Sequence, residues 1–490
     1  MNKSAIVIGA GFAGLSAAAF MAKAGWKVQV IEKNPTAGGR AQQLVADGFT
    51  FDMGPSWYWM PDVFERFFAH FGKSVSDYYS LERLDPSYRI YWKEGYSDIP
   101  ADYDELRDLF ESLEPGSAAR LDKYLQEAFV KYRIGMQQLV YKPGLSFTEF
   151  LEPEVLRNIF RLDIFTSIRK HVASHFNNEK LRMLMEFPVL FLGALPQNTP
   201  ALYSLMNYAD MVGGTWYPNG GMFSVVKGMQ LLAQELGVTF QFNESVQSIS
   251  TASGRADAVI TDKGIYTADA VISGADYHFT ESLLPQNKRT YSEKYWDRRV
   301  LAPSCLMYYI GLNKRLDHMQ HHSLFFDVPF GPHADAIYKH PQWPGEPLFY
   351  ASVSSRTDNT VAPPGCENLV VLIPVASGLE KDTQETREYY LGRVIQRLEQ
   401  HTGTSISDAI IFKKSFSVSD FESAYNSYKG NAYGLANTMK QTAIFRPSCR
   451  SRKLSNLFYT GQFTVPGPGV PPSLISGEVV SAAVLKTFKH

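Results

Sequence analysis

Read by its hydrophobic and polar positions, the chain opens on a short apolar run, Ala5-Ile6-Val7-Ile8, of the kind that fills a strand buried on both faces. A glycine-rich turn follows, and Leu15 to Ala24 then reads as an alanine-rich helix that Gly25 stops. Val28, Val30 and Ile31 form a second strand that ends at Glu32. Val63, Phe64, Phe67 and Phe68 recur at helical spacing within Asp62 to Phe71. Tyr88 to Trp92 and Tyr96 to Pro100 read as a hairpin turning at Lys93-Glu94-Gly95. Between 101 and 210 the period becomes helical. Tyr103 to Leu113 and Ser117 to Leu139 are amphipathic, Pro143-Gly144 breaks the pattern, and further helices fall within 146–186 and 199–212. Phe223 to Leu236 is a helix, and Val238 to Phe242 a strand. Residues 247–272 alternate as a β-meander with turns at Gly254 and Gly264. Ser304 to Gly311 and Asn368 to Pro374 are apolar strands, and Arg387 to His401 is a helix. Asn456 to Gln462 is a strand ending in glycine, with a helix from Ser473.

At 490 residues the chain is long enough for two or more lobes around a large core. A formal charge of −1 gives no reason to expect a nucleic-acid partner. Cys305, Cys366 and Cys449 are too widely spaced for a disulfide framework or a metal site, which fits a reducing cytoplasm. His318, His321 and His322 cluster without matching acids or cysteines, so a polar loop is expected and no metal. Arg446, Arg450, Arg452 and Lys453 read as a solvated loop, or alternatively as a patch facing a membrane surface. Residues 5–22 are mostly apolar. However, three glycines in six positions suit neither a signal peptide nor a continuous spanning helix. Phe187 to Pro196 (FPVLFLGALP) is too short to span a bilayer, and is either buried core or a surface that dips into lipid.

The opening segment carries chemistry. In Gly9-x-Gly11-x-x-Gly14, the first glycine permits a tight strand-to-helix turn. The second lets a pyrophosphate approach the backbone, and the third lets the helix pack on the strand. The free N–H groups and dipole of the helix start favour phosphate. Glu32, at the end of the next strand, can accept hydrogen bonds from ribose hydroxyls. Strand, fingerprint, helix and acid in this order predict a bound dinucleotide.

Three later blocks go further. Gly38-Gly39-Arg40 follows the acid, and Phe51-Asp52-Met53-Gly54-Pro55-Ser56 comes next. Together they resemble the second and third signatures of the flavin amine oxidase and carotenoid desaturase superfamily. Gly213 to Met222 resembles the segment that leads back to the flavin domain in carotenoid desaturases, and Ser273-Gly274-Ala275-Asp276 resembles the end of that family's second nucleotide-binding segment. Asn456-Leu457-Phe458-Tyr459-Thr460-Gly461-Gln462, continuing through Thr464-Val465-Pro466-Gly467-Pro468-Gly469-Val470-Pro471-Pro472, resembles the C-terminal signature of phytoene-desaturase-type carotenoid enzymes.

The resemblance implies an α/β (α+β) fold: a Rossmann-like FAD-binding domain of the p-hydroxybenzoate hydroxylase type, with an inserted β-sheet substrate domain and a helical cap. The expected partition is 1–75, 213–285 and 450–490 for FAD, 76–100 and 286–449 for substrate, and 101–212 for the cap. It carries FAD contact to Gly9, Gly11, Phe12, Ala13, Gly14, Glu32, Lys33, Gly39, Arg40, Gly54, Pro55, Ser56, Trp57, Val246, Asp276, Gly461, Gln462, Gly469, Val470 and Pro471. It also implies a carotenoid desaturase that meets its substrate at the cytoplasmic membrane as a peripheral protein and passes electrons to a quinone or oxygen. Phytoene and a hydroxylated acyclic or monocyclic carotene both remain candidate substrates. Glu149 aligns with a carboxylate proposed as proton acceptor in relatives, although Glu152 stands where those relatives carry arginine. Trp57-Tyr58-Trp59 reads equally as core or as the lining of a substrate cavity. A redox-neutral isomerase, a flavin-free prenyl carrier and an amine oxidase are the rival readings.

Overall fold

The computed structural model describes residues 3–146, 149, 162–438 and 440–489. Two sheets organise the chain. The first is a five-stranded parallel sheet in the order Leu457–Tyr459, Ala270–Ser273, Ser4–Ile8, Lys27–Ile31, Thr239–Gln241. Its central strand is covered on both faces, which is why Ala5 to Ile8 is apolar without alternation. The sequence pattern assigned residues 270–272 to the meander. The meander ends at Ile265–Tyr266, and Ala270–Ser273 instead pairs with both Ser4–Ile8 and Leu457–Tyr459. All four of its residues are buried, the mark of an interior parallel strand rather than of a half-exposed meander.

Helix Phe12–Lys23 packs against helix Val470–Thr487 at very close range. A Cβ on Gly477 would lie 2.5 Å from the Ser16 Cβ, and the Ser16 hydroxyl donates to the Leu474 carbonyl at 2.7 Å. This contact joins residues 458 positions apart in the sequence.

The second sheet has seven strands, in the order Ile410–Phe416, Ser304–Leu312, Glu367–Val375, Phe349–Ser352, His322–Phe326, Tyr88–Trp92, Tyr96–Ile99. All its pairs are antiparallel except His322–Phe326 with Tyr88–Trp92. The Tyr88–Trp92/Tyr96–Ile99 hairpin is therefore its outer edge. Between the hairpin and residue 212 the chain is mainly helical. Asp102 caps helix Tyr103–Leu113 by accepting from the Asp104 and Glu105 N–H groups, and Ser117–Ile134 continues as a π-helical turn over Gly135–Leu139. Among the described residues no helix is long and apolar enough to cross a membrane.

Two local expectations are corrected. His321 and His322 are buried rather than in a polar loop: His322 opens a strand, and only His318 is exposed. Arg446 is also buried, at 4% exposure, whereas Arg452 and Lys453 are exposed.

Candidate functional site

The carboxyl ends of the parallel strands open on a cleft of about 1530 Å³, part of it open to solvent. Gly9, Gly11, Phe12, Ala13, Glu32, Lys33, Gly39, Arg40, Gly54, Pro55, Val246, Asp276, Gly461, Gln462, Gly469 and Val470 all line it. Gly14 stands behind the wall. A Cβ there would fall 2.0 Å from the Gly9 carbonyl oxygen, so helix and strand approach only because the side chain is missing. The nearest atom to a Cβ on Gly11 would be the Gly39 Cα at 3.9 Å, and on Gly461 the Ala13 Cβ at 3.7 Å; both backbones face open space. Helix Phe12–Lys23 has no side-chain cap and no acid in its first turn, so its leading N–H groups and positive dipole end face the cleft unopposed.

Glu32 is buried, and its two carboxylate oxygens accept from the Ala10 and Asn34 N–H groups at 2.8 and 2.9 Å. Burial raises its pKa and the backbone donors oppose that rise. Lys33 donates to the Ser423 carbonyl and the Asn426 side chain, tying the strand end to the 423–426 turn. Asp276 caps helix Tyr277–Ser282 and also accepts from the Tyr428 N–H. Its pKa is raised by burial against the opposing pull of Arg40.

Among the described residues Arg40 is held without a carboxylate at bonding distance. It donates to the Ser427 hydroxyl at 2.9 Å and the Asn431 carbonyl at 3.3 Å, and its Nε has no partner among the described residues. With its amide oxygen turned toward the donors, Gln462 accepts from Arg40 at 2.9 Å. A desolvated guanidinium beside a bare helix start is a site for an anion.

Behind Gln462 stands Arg446. All five guanidinium N–H donors are used: on the carbonyls of Thr464, Gln441, Leu435 and Gln462, and on the Asn437 side chain, at 2.6–3.2 Å. Burial lowers its pKa to about 10, so it remains charged at neutral pH. Asp52 plays a similar supporting part. It caps helix Met222–Glu235 by accepting from the Met222 and Phe223 N–H groups at 2.7 and 3.2 Å. Gly221 is required there, because a Cβ would sit 2.5 Å from the carboxylate. Burial pushes the Asp52 pKa up to about 7.

A second cavity, of about 1590 Å³ with part of that space open to solvent, shares Gly54, Pro55, Leu372, Tyr433, Gly469 and Val470 with the cleft. Its lining is mostly apolar and aromatic, and Ser56, Trp57 and Pro471 belong to it. The aromatic run after the Gly-Pro-Ser block therefore divides. Trp57 and Trp59 line this cavity, whereas Tyr58 is fully buried and stacks on Phe64 at 4.2 Å. The 187–196 segment divides likewise: Phe187 and Leu190 face the cavity and Val189 is core. Trp57 stacks on His322 at 4.2 Å between ring centroids. Leu372 and Tyr433 carry no sequence motif. They reach the wall through the seven-stranded sheet and the loop after Asn431.

Glu149 lines neither cavity. Its carboxylate accepts from the Gly144, Leu145 and Ser146 N–H groups at 2.8–3.2 Å, closing a turn. Glu152 lies outside the described residues.

The model of the family described as flavin-containing amine oxidoreductase matches residues 12–485. A carotenoid 3,4-desaturase of Haloarcula japonica is 42% identical over 98% of this chain and 97% of its own length. A zeta-carotene-forming phytoene desaturase of Myxococcus xanthus is 33% identical over 99% and 94%. The chain belongs to the carotenoid-desaturase branch of the flavin-containing amine oxidoreductases. Among solved structures, an oxidoreductase from Methanosarcina mazei shares the fold, with a TM-score of 0.62 at 16% identity over 98% of this chain and 100% of that one.

The cofactor of this family member is FAD, and the cleft fits it. The open backbone at Gly11 and the bare start of helix Phe12–Lys23 suit a pyrophosphate. Glu32 suits a ribose, and the Gly54, Gly469 and Val470 wall between the cavities suits the flavin end.

Proposed function

We propose that the protein is an FAD-dependent carotenoid desaturase that introduces the double bond at the 3,4 position, near one end of the chain. The observation that carries this reading is the shared wall. A nucleotide cleft and an aromatic, mostly apolar cavity meet at Gly54, Pro55, Tyr433, Gly469 and Val470, so a hydrocarbon inside the second cavity lies against whatever ends the cofactor in the first. The 3,4 position follows the Haloarcula relative.

Bound FAD supplies a hydride acceptor, which a quinone or oxygen regenerates. The protein's residues do the rest. Trp57, Trp59 and Phe187 exclude water and hold the polyene in register. Their ring faces favour the positive charge that spreads along a conjugated chain when an allylic hydride leaves. No strong base is needed to take the neighbouring proton from such a cation. Phe187, Leu190, Phe326, Phe330 and Ala334 also line a wider groove of about 2040 Å³, which continues the cavity to the surface. A chain too long for the cavity can thread out along it. This path supports delivery from a membrane by peripheral contact at the cytoplasmic face.

The test is anaerobic addition of FAD-loaded protein to liposomes holding a single carotenoid, followed by flavin absorbance and product mass. Bleaching with a product two hydrogens lighter, at the 3,4 bond of a monocyclic or acyclic carotene, is expected. Bleaching with phytoene alone would move the enzyme to an earlier step. An unchanged mass with a changed isomer pattern would make it an isomerase, and no response to any carotenoid would end the reading.

A further inference from the structure

Ser56 follows directly on Gly54 and Pro55, which face both the FAD cleft and the apolar cavity, and Ser56 itself lines the cavity. Its hydroxyl lies 2.8 Å from the Tyr350 hydroxyl, and that phenol lies 2.6 Å from the His322 Nδ1. The sheet brings the three together. His322–Phe326 pairs antiparallel with Phe349–Ser352, with His322 opposite Ser352 and Leu324 opposite Tyr350. His322 and Tyr350 are thus diagonal neighbours on one face, within reach of aromatic side chains. A hydrogen-bonded line runs from the wall shared by the two cavities to a buried imidazole. Other polar groups of the lining are turned elsewhere. Ser304 donates to the Gly430 carbonyl, the Trp59 indole N–H donates to the Thr215 hydroxyl, and both nitrogens of His333 are engaged by Pro374 and Leu348.

Desaturation breaks two C–H bonds. One hydrogen leaves with its electron pair for the bound cofactor. The other leaves as a bare proton, and its bonding pair becomes the new π bond. In a dry, aromatic cavity that proton needs an acceptor. Ser56 Oγ can take it while passing its own proton to the Tyr350 oxygen, and Tyr350 passes its own to the His322 Nδ1. Serine and tyrosine end unchanged, and the imidazole ends as an imidazolium. Trp57 lies face to face with that ring, 4.2 Å between centroids and 10° from parallel, so its π face meets the new charge. Burial, with His321 alongside, holds the His322 pKa well below its usual 6.5. The ring is therefore neutral and ready at neutral pH, and weak basicity suffices against a carbocation. Weak basicity also lets the proton go again. Part of the cavity is open to solvent, so once product leaves the proton returns along the same line to water. The His322 Nε2 has no partner among the described residues, which leaves Nδ1 as the connected atom.

We propose that Ser56, Tyr350 and His322 carry away the proton that the carotenoid loses during desaturation. This inference rests on the desaturase reading. Hydroxylated γ-carotene, deuterated at C3 or at C4, is added anaerobically in liposomes to FAD-loaded protein, and the bleaching of a single turnover is timed. In wild type the isotope effect should come from C4, the carbon allylic to the polyene, which loses the hydride. Tyr350→Phe keeps the ring and removes the hydroxyl that joins the two ends of the line. It should bleach about a hundredfold more slowly, at the lower end of the range for proton transfer by a positioned side chain, and an isotope effect should arise at C3. His322→Asn keeps an acceptor beside Tyr350 but no base, and should behave alike. A merely structural role would slow bleaching without moving the isotope effect to C3. Flavin content of each variant reports an intact fold. In the resting protein, nitrogen NMR of isotope-labelled histidines, with the His322 signal assigned by its loss in His322→Asn, should show Nδ1 unprotonated and shifted by Tyr350→Phe. Tyr350→Phe bleaching at the wild-type rate, a slowed variant with no isotope effect at C3, or a protonated Nδ1 would overturn the proposal. Should wild type respond only to phytoene, the two labels go on the bond it desaturates there. If wild type bleaches with no carotenoid, the desaturase reading itself fails, whatever the state of Nδ1.

Discussion

Arg446 offers the sharpest test of how the cofactor site is held. Arg446→Lys keeps the charge but leaves three N–H donors where the site uses five. At least two of the five acceptors, spread over Leu435 to Gln441 and Gln462 to Thr464, must go unmet in a buried setting. At about 1.5–3 kcal/mol for each hydrogen bond to a charged group, the loss is roughly 3–6 kcal/mol. It falls on the segment that carries Gly461 and Gln462, the latter bonded to Arg40. FAD should therefore leave before the rest of the fold opens. In a urea titration followed by flavin fluorescence and circular dichroism, the fluorescence rise should move to clearly lower urea and separate from the loss of secondary structure. Arg446→Met, which meets none of the five acceptors, should be more severe. A lysine variant indistinguishable from wild type would refute the donor-counting argument and leave charge alone as the reason for the residue.

Three further outcomes are expected. Gly14→Ala forces a Cβ to 2.0 Å from the Gly9 carbonyl, so the purified protein should contain little or no FAD, measured as the flavin-to-protein absorbance ratio. The Asp52 carboxyl, ordinarily near 3.8, is raised to about 7. Its contribution to stability is full below about pH 4 and is lost as pH rises to about 7, by on the order of 4 kcal/mol. Asp52→Asn should flatten that fall in a urea-midpoint series from pH 4 to 8; Asp210, also raised to about 7, leaves a residual slope of the same sign. Glu149→Gln should keep turnover within about tenfold of wild type in a desaturation assay, below the usual contribution of a proton-transferring side chain. A loss of a hundredfold or more would return that carboxylate to the chemistry.

Where function depends on backbone without side chains, the sequence is legible. Gly9, Gly11 and Gly14 fall within six positions and Glu32 ends the next strand, each type has a distinct task, and Gly9, Gly11 and Glu32 line the cleft with Gly14 behind them. The hairpin at Lys93-Glu94-Gly95 and the helices at 103 and 117 were readable from period alone. What could not be read is what long-range packing decides. Arg446 sits among other basic residues and looks solvated until Leu435, Asn437 and Gln441 are seen to close over it. His322 shares a string with exposed His318, and only the sheet shows that it lies under Trp57. Tyr338, Tyr350 and Tyr433 belong to separate elements, and nothing in their local spacing says that their side chains share one cavity.

The close contact between the helices that begin at Phe12 and Val470 also has a bearing on synthesis. The glycine-rich turn after the central strand is made well before the helix that begins at Val470, and Ser16 of helix Phe12–Lys23 meets Leu474 only after 458 further codons. Until then the nascent chain has a pyrophosphate loop and no closed flavin pocket. The part of the cleft wall formed by Gly461, Gln462, Gly469 and Val470 is therefore added late in synthesis. A ribosome that stops short of residue 457 releases a chain without one edge of its nucleotide sheet.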